Sequence, residues 1–150
     1  MIKNKFLEYF VAFLLIFLFY LVIDNIFIQL VTKQLFSPMI KNIQKTAMNV
    51  KIVPSLLVFI VGAFGLTYFI YDKIRDDHIY LDSLRYAFVF GIVTYAIFDL
   101  TSMALFNNWL IGPTIVDILW GGIVFFLSMI IVKNIMKKIN KKKITSVKNN

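Results

Sequence analysis

The sequence contains no cysteine. Disulfide scaffolds, thiolate metal sites and cysteine nucleophiles are therefore excluded, and the redox compartment stays open. Charge is also scarce. Charged residues make up 16% of the chain, against about 25% in a soluble domain. His78 is the only histidine, and it sits among Asp76, Asp77 and Asp82 in a polar stretch that reads as a solvated loop. One histidine does not supply the several fixed ligands that a zinc site needs, so no metal site is expected there. The H-E-x-x-H, G-x-S-x-G, glycine-rich phosphate-loop and zinc-spacing motifs are all missing. No cofactor is indicated.

What the chain has instead is apolar residues. They account for 60% of 150 positions, with 16 phenylalanines, which is more apolar surface than one aqueous-phase core of this size can bury. A lipid solvent is the simplest explanation. Four apolar runs, at about 6–30, 53–71, 83–106 and 110–132, are each long enough to cross a hydrocarbon core of about 30 Å. The expected fold class is all-α: an integral membrane four-helix bundle in one transmembrane domain, residues 1–150, with a basic tail at 133–150. Lys3 and Lys5 precede the first run as in a secretory signal. That run is longer than a signal core, and no A-x-A site follows, so it reads as a retained helix.

The connectors carry local signals. In Thr32 to Lys51, Ser37-Pro38 has the form of a helix start, with Ile40, Ile43 and Ala47 behind it at helical spacing. This predicts a short interfacial helix between spans one and two. Gly62 and Gly65 open the second span to close approach. Asp82 is the expected N-cap of the third span, Asn107-Asn108 forms a tight turn, and Gly112-Pro113 opens the fourth. Trp109 and Tyr71 suit interfacial anchoring. Lys133, Lys137, Lys138, Lys141, Lys142, Lys143 and Lys148 follow the last span with no acid among them. Beside an apolar span, such a run reads as an anchor on anionic lipid headgroups rather than a nucleic-acid site. The distribution of Lys and Arg places both termini in the cytoplasm, with Lys33, Lys41, Lys45 and Lys51 opposing that orientation. The expected location is a cell or plasma membrane, multi-pass.

Three aspartates lie inside the spans: Asp24, Asp99 and Asp117. An ionised Asp at a helix centre costs about 2.5–3.5 kcal/mol on insertion scales, so these residues face the protein interior or a wet cavity. Asp99 precedes the 107–108 turn and Asp117 follows it by similar lengths, which places both about 10 Å below one face. Asp24 approaches that face from the first span. At about 100° per residue, Gly91, Tyr95, Asp99 and Ser102 share one side of the third span. Thr114, Asp117, Gly121 and Ser128 share one side of the fourth, bordered by Trp120. These small and hydrogen-bonding residues predict that spans three and four form the most intimate hairpin. Pro113 and the start of the fourth helix favour a carboxylate at Asp117. Asp99 approaches the end of its helix, where the dipole disfavours negative charge. A proton, hydrogen bonds or a bound cation must compensate it.

The sequence Gly91-x-x-Thr94-Tyr95-Ala96-x-x-Asp99-Leu100-Thr101, followed by Trp109 and by Asp117-x-x-Trp120-Gly121, resembles the predicted membrane proteins grouped as domain of unknown function 2177. Asp24 matches an acidic position late in that family's first span. The resemblance implies a four-helix membrane architecture and singles out Asp99, Asp117 and Trp120. The chain departs from it at Ser102, where the resemblance implies Asn, and at Phe27, where it implies Trp. It implies no substrate.

Three function classes follow. The first is binding or movement of a proton, cation or small polar solute, with Asp99 and Asp117 as the ionisable pair, Asp24 as a third acid, and Tyr95 and Thr114 as hydrogen-bonding lining. Movement by so short a chain implies a homo-oligomer. The second is an intramembrane enzyme acting on a lipid or isoprenoid, where paired carboxylates serve as acid and base. The lack of any nucleophile or metal motif weighs against it. The third is an accessory or assembly protein whose aspartates are structural.

Overall fold

The computed structural model describes residues 5–148, with side chains described through residue 141. Lys3 and the side chains of Lys142, Lys143 and Lys148 lie outside the described residues. The chain forms four long helical segments: α1 (Lys5–Gln44), α2 (Ile52–Lys73), α3 (Ile79–Leu105) and α4 (Ile111–Lys148). No strand occurs among the described residues. All four segments are long and apolar enough to cross a membrane. The start of α1, the 74–78 loop and the far end of α4 share one face, the termini face. The 45–51 connector and the 106–110 turn lie at the opposite face.

Through Phe27, helix α1 is apolar on all sides, as a helix solvated by lipid should be. Its buried stripe is Ala12, Ile16, Tyr20 and Asp24, one residue per turn. Phe10, Leu14, Leu18, Val22 and Ile26 form the outward stripe at the same spacing. The helix does not stop at the end of the apolar run. It passes through a π-helical turn at Ile28–Thr32 and continues to Gln44. The expected helix start at Ser37-Pro38 is therefore a correction: a helix is present, but it is continuous with the first span. Pro38 sits on an exposed side of the helix, as does Gln34, the residue four positions back to which its ring nitrogen cannot donate. This extension buries Phe36 and Met39. Phe36 meets the Trp109 ring, and the Leu110 amide points at Met39 Sδ at 3.1 Å, so the extension packs on the 106–110 turn.

The hairpin of α3 and α4 is the most extensively packed pair. The turn between them is closed by Asn108, whose φ of 69° is the left-handed conformation that asparagine tolerates. A Cβ placed on Gly91 would collide with the Gly121 carbonyl and the Gly122 Cα, so two backbones touch there. This is the contact expected from the small-residue faces. At Gly62, by contrast, the missing side chain makes room for the Tyr20 ring of α1 rather than for a helix backbone.

Polar contacts knit the termini face. Tyr9 donates to Asp72, Tyr71 donates to Glu8 at 3.3 Å, and Lys133 donates to the Tyr71 carbonyl at 3.3 Å. Lys137 binds the Asp76 carbonyl at 2.6 Å. Two lysines of the expected basic tail are thus folded onto the protein, and Tyr71 is buried in this network instead of anchoring at a lipid interface. Asp82 is also a correction. Helix α3 begins at Ile79, one turn earlier than expected, because the Asp82 carboxylate is held by Arg75 Nε at 2.8 Å, Nη2 at 3.0 Å and the Arg75 amide at 3.1 Å. The hydrogen bonds with Asp82 push the Arg75 guanidinium above its ordinary range.

Candidate functional site: an intramembrane carboxylate cluster

The site lies in the half of the bundle nearer the opposite face, where α1, α3 and α4 converge. The four-residue stripe of α1 aims Tyr20 and Asp24 inward, one turn apart. From α4, the Trp120 indole donates to Asp24 Oδ1 at 2.7 Å. From α3, the Tyr95 hydroxyl reaches the same oxygen at 3.5 Å and pairs with the Tyr20 hydroxyl at 2.9 Å. Tyr95 reaches that far because Gly121 lacks a side chain, and the Tyr95 ring lies over it. Both bonds to Asp24 fall on Oδ1, leaving Oδ2 unengaged.

Aromatic rings hold these groups in place. Trp120 stacks on Phe27 with ring centroids 4.0 Å apart and planes 5° from parallel. Phe27 therefore retains an aromatic partner for Trp120 at the position where the resemblance implied Trp. Tyr20 is wedged edge-on between Phe59 and Phe125, at 4.9 and 5.2 Å. Such pairs contribute about 0.5–1.5 kcal/mol each beyond area burial, which fixes the rings and hence the hydroxyl.

The three acids differ in their surroundings. Asp24 is 8% exposed and well bonded on one oxygen. Asp117 is partly exposed and lines a cavity. Asp99 is fully buried, and neither of its oxygens has a hydrogen-bond partner of acceptable geometry. Its polar neighbours are the Asp117 carboxyl and the Trp109 indole. Trp109, however, gives its proton to Thr114 Oγ1 at 3.0 Å. Asp24 and Asp99 both lie within electrostatic reach of Asp117.

In front of Asp24 and Asp117 opens a cavity of about 900 Å³. Tyr20, Tyr95, Asp24 and Asp117 form its most polar part. The remaining wall is almost entirely apolar and includes no lysine or arginine. Carboxylates on an apolar cavity without a basic counterpart attract a proton, a cation or a strong hydrogen-bond donor.

Of the residues singled out in the sequence, the structure brings together Asp24, Tyr95, Asp117 and Trp120, with Asp99 directly behind Asp117. Thr114 stands apart. Its hydroxyl accepts from Trp109 and donates to the Leu110 carbonyl at 3.1 Å, so it braces the turn and does not line the cavity. Trp109 shares that bracing role. Tyr20, Phe27 and Phe125 were not singled out as site residues. Tyr20 had a signal, standing one turn before Asp24 on the Ala12, Ile16 stripe. Around His78, no group of three metal-ligating side chains occurs among the described residues; the imidazole lies 3.5 Å from Asp77.

No curated protein and no solved structure matches the chain. A family model described as Predicted membrane protein (DUF2177) matches residues 9–134, which include every residue of the carboxylate cluster. The chain belongs to this family of predicted membrane proteins.

Proposed function

We propose that the protein binds a proton or a cationic solute within the membrane, at Asp24 and Asp117, with Asp99 as the inner acceptor. The observation that carries this reading is Asp99. It is a wholly buried carboxyl with both oxygens unpartnered, next to a second carboxyl that faces a cavity without basic residues. An uncompensated charge at such a position is too costly to persist, so the pair must take up a proton or a cation. Asp117, between the cavity and Asp99, is the group that exchanges it. Tyr20 and Tyr95 orient Asp24 and supply rings that favour an organic cation. Three further proposals accompany this reading. Both termini face the cytoplasm, exposed C-terminal lysines such as Lys138 meet anionic headgroups, and movement of a solute requires a homo-oligomer.

The test is labelling by a hydrophobic carbodiimide in native membranes, mapped by mass spectrometry, with and without methylammonium. The reagent attacks protonated carboxyls in apolar surroundings. The expected result is selective modification of Asp117 or Asp24 and protection by methylammonium. Absence of modification at all three acids, in peptides that do react after unfolding in SDS, would refute the reading. Acid–base chemistry on a lipid or isoprenoid is the second reading, and the apolar cavity wall favours it. Lipid profiles of cells with and without the protein separate the two, since only the enzyme removes a product.

A further inference from the structure

The packing around the cavity is uneven. Helix α2 packs on α1, α1 on α4, and α4 on α3. Helices α2 and α3 meet most closely toward the termini face, where Leu66–Ile70 lies against Ser83–Phe88, Phe69 meets Phe90 at 6.2 Å and Gly65 faces the Phe90 ring. Nearer the opposite face they diverge. The cavity fills the gap and opens between Leu57, Val58 and Val61 on one side and Thr94 and Phe98 on the other. Leu57, Val58, Val61 and Phe98 are each more than half exposed, at 53, 60, 67 and 59%. In a membrane this mouth faces lipid chains, because it lies between two spans, and the lining continues past Asp24 to Ile28, Thr32 and Pro54 toward the opposite face.

The interior is polar in one part, at Asp24, Asp117, Tyr20 and Tyr95, with Ile28, Thr32 and Pro54 lining the space beyond it. From there the space runs along α2 past Val61 and Gly65 to Phe69 and Phe90, with an apolar lining. Val58 and Phe69 are about 16 Å apart along the helix, at 1.5 Å per residue. The volume is near the upper end of small-ligand sites, which span about 300–1,000 Å³. A bare inorganic cation does not need this apolar length. A phosphate-bearing lipid is rejected at the polar part, where acids face it and no basic side chain is present.

Resting on the cation-binding reading above, we infer that the occupant is a single-chain amphiphile with a protonated amine head. It enters sideways from the lipid between α2 and α3, places its head against Asp24 and Asp117, and lays its chain toward Phe69 and Phe90. The unengaged Oδ2 of Asp24 and the Asp117 carboxyl accept the ammonium hydrogens. Asp99, unpartnered behind Asp117, takes up a proton when Asp117 turns to the ligand. The Tyr95 and Tyr20 rings flank the head.

The probe is dodecylamine bearing a diazirine at the end of its chain, photolysed with the full-length protein in bilayers of zwitterionic lipid. Dodecanol and dodecanoate carrying the same diazirine are the comparisons. The expected result is adducts near Phe69 and Phe90, with labelling by the amine at least about tenfold above either comparison, as loss of a charge-assisted bond would give. Asp24→Asn with Asp117→Asn should lower the amine signal by about the same factor. Val61→Trp should obstruct the mouth and lower it, while Val93→Trp, an exposed substitution outside the cavity, should leave it unchanged. Equal labelling by the three probes, adducts scattered over the outer stripe of α1, or an unaffected Val61→Trp variant would each overturn the inference. Protection of Asp117 by methylammonium distinguishes the levels. If protection is present but the amine probe fails, the cation site stands and the amphiphile does not. If protection is also absent, both fall.

Discussion

Replacing Asp99 by leucine tests whether the fold or the function requires this carboxyl. Leucine and aspartate have nearly the same shape, each branching at Cγ into two atoms, so the substitution exchanges two oxygens for two methyl groups in the same space. In the native protein both oxygens are buried and unpartnered. A buried polar group without a partner costs about 1–3 kcal/mol, and an apolar group of the same shape does not incur that cost. The tetrahedral branch of leucine is slightly bulkier than a planar carboxyl, which offsets part of the gain. The expected outcome is a variant more stable than the native chain by about 1–2 kcal/mol. Asp99→Asn, which keeps a polar group in place, should change stability little. The assay is reversible unfolding of purified protein by SDS in mixed micelles, followed by circular dichroism. If Asp99→Leu destabilises the protein by a comparable amount, Asp99 has a partner that the fold depends on, and the reasoning behind the proposed function is wrong. If it stabilises while abolishing protection of Asp117 by methylammonium, the native protein keeps a destabilising group because its activity needs it.

Other outcomes can be stated more briefly. Gly91→Ala should destabilise the α3–α4 hairpin by about 1–3 kcal/mol, because its methyl group meets backbone atoms that no rotamer can move; the same SDS titration reads it, and native-like stability would contradict the crossing. Trp120→Phe keeps the stack on Phe27 but removes the donor to Asp24, at a cost of about 1–3 kcal/mol. A double-mutant cycle with Asp24→Leu should recover most of that loss, and additive effects would show that the bond is not formed. Arg75→Met should raise hydrogen exchange through residues 74–79 without altering carbodiimide labelling at Asp117, since the Asp82 clasp lies at the other face of the bundle. A change in labelling would mean that the two faces communicate.

The number of spans and the α3–α4 seam could be read in the sequence because they rest on strong local signals. Long apolar runs admit few alternatives, and Gly91, Tyr95, Asp99 and Ser102 mark a contact face through residues that lipid would not select. Helix α1 was less legible. It is apolar all round, so no amphipathic signal separates the Tyr20 stripe from the Leu14 and Leu18 stripe, and only Asp24 marks which side is buried. The cavity could not be read at all. It arises because α2 and α3 diverge, and Leu57, Val58 and Val61 would look the same facing a ligand, a neighbouring helix or lipid. Ser37-Pro38 misled because a proline at the first turn and a proline on the exposed side of a continuing helix share the same local sequence. Asp82 misled for a similar reason, since capping and ion pairing draw on the same carboxylate, and Arg75 was the nearer and stronger partner.

The unequal treatment of the three acids separates ligand binding from a purely structural role. Aspartates that served only to join helices should be bonded where helices meet most closely, since a half-satisfied polar group in an apolar interior is worse than none. Asp24 meets that expectation through Trp120 and Tyr95. Asp99 does the opposite: it sits about two turns from the tightest backbone approach, on the best-packed helix pair, and neither oxygen has a hydrogen-bond partner of acceptable geometry. The neighbouring Trp109 indole donates to Thr114 instead. Asp24 is thus the fixed acid of the cluster, positioned by donors that do not move. On the proposed reading, Asp117 and Asp99 form the responsive pair, whose missing partner is supplied from the cavity side.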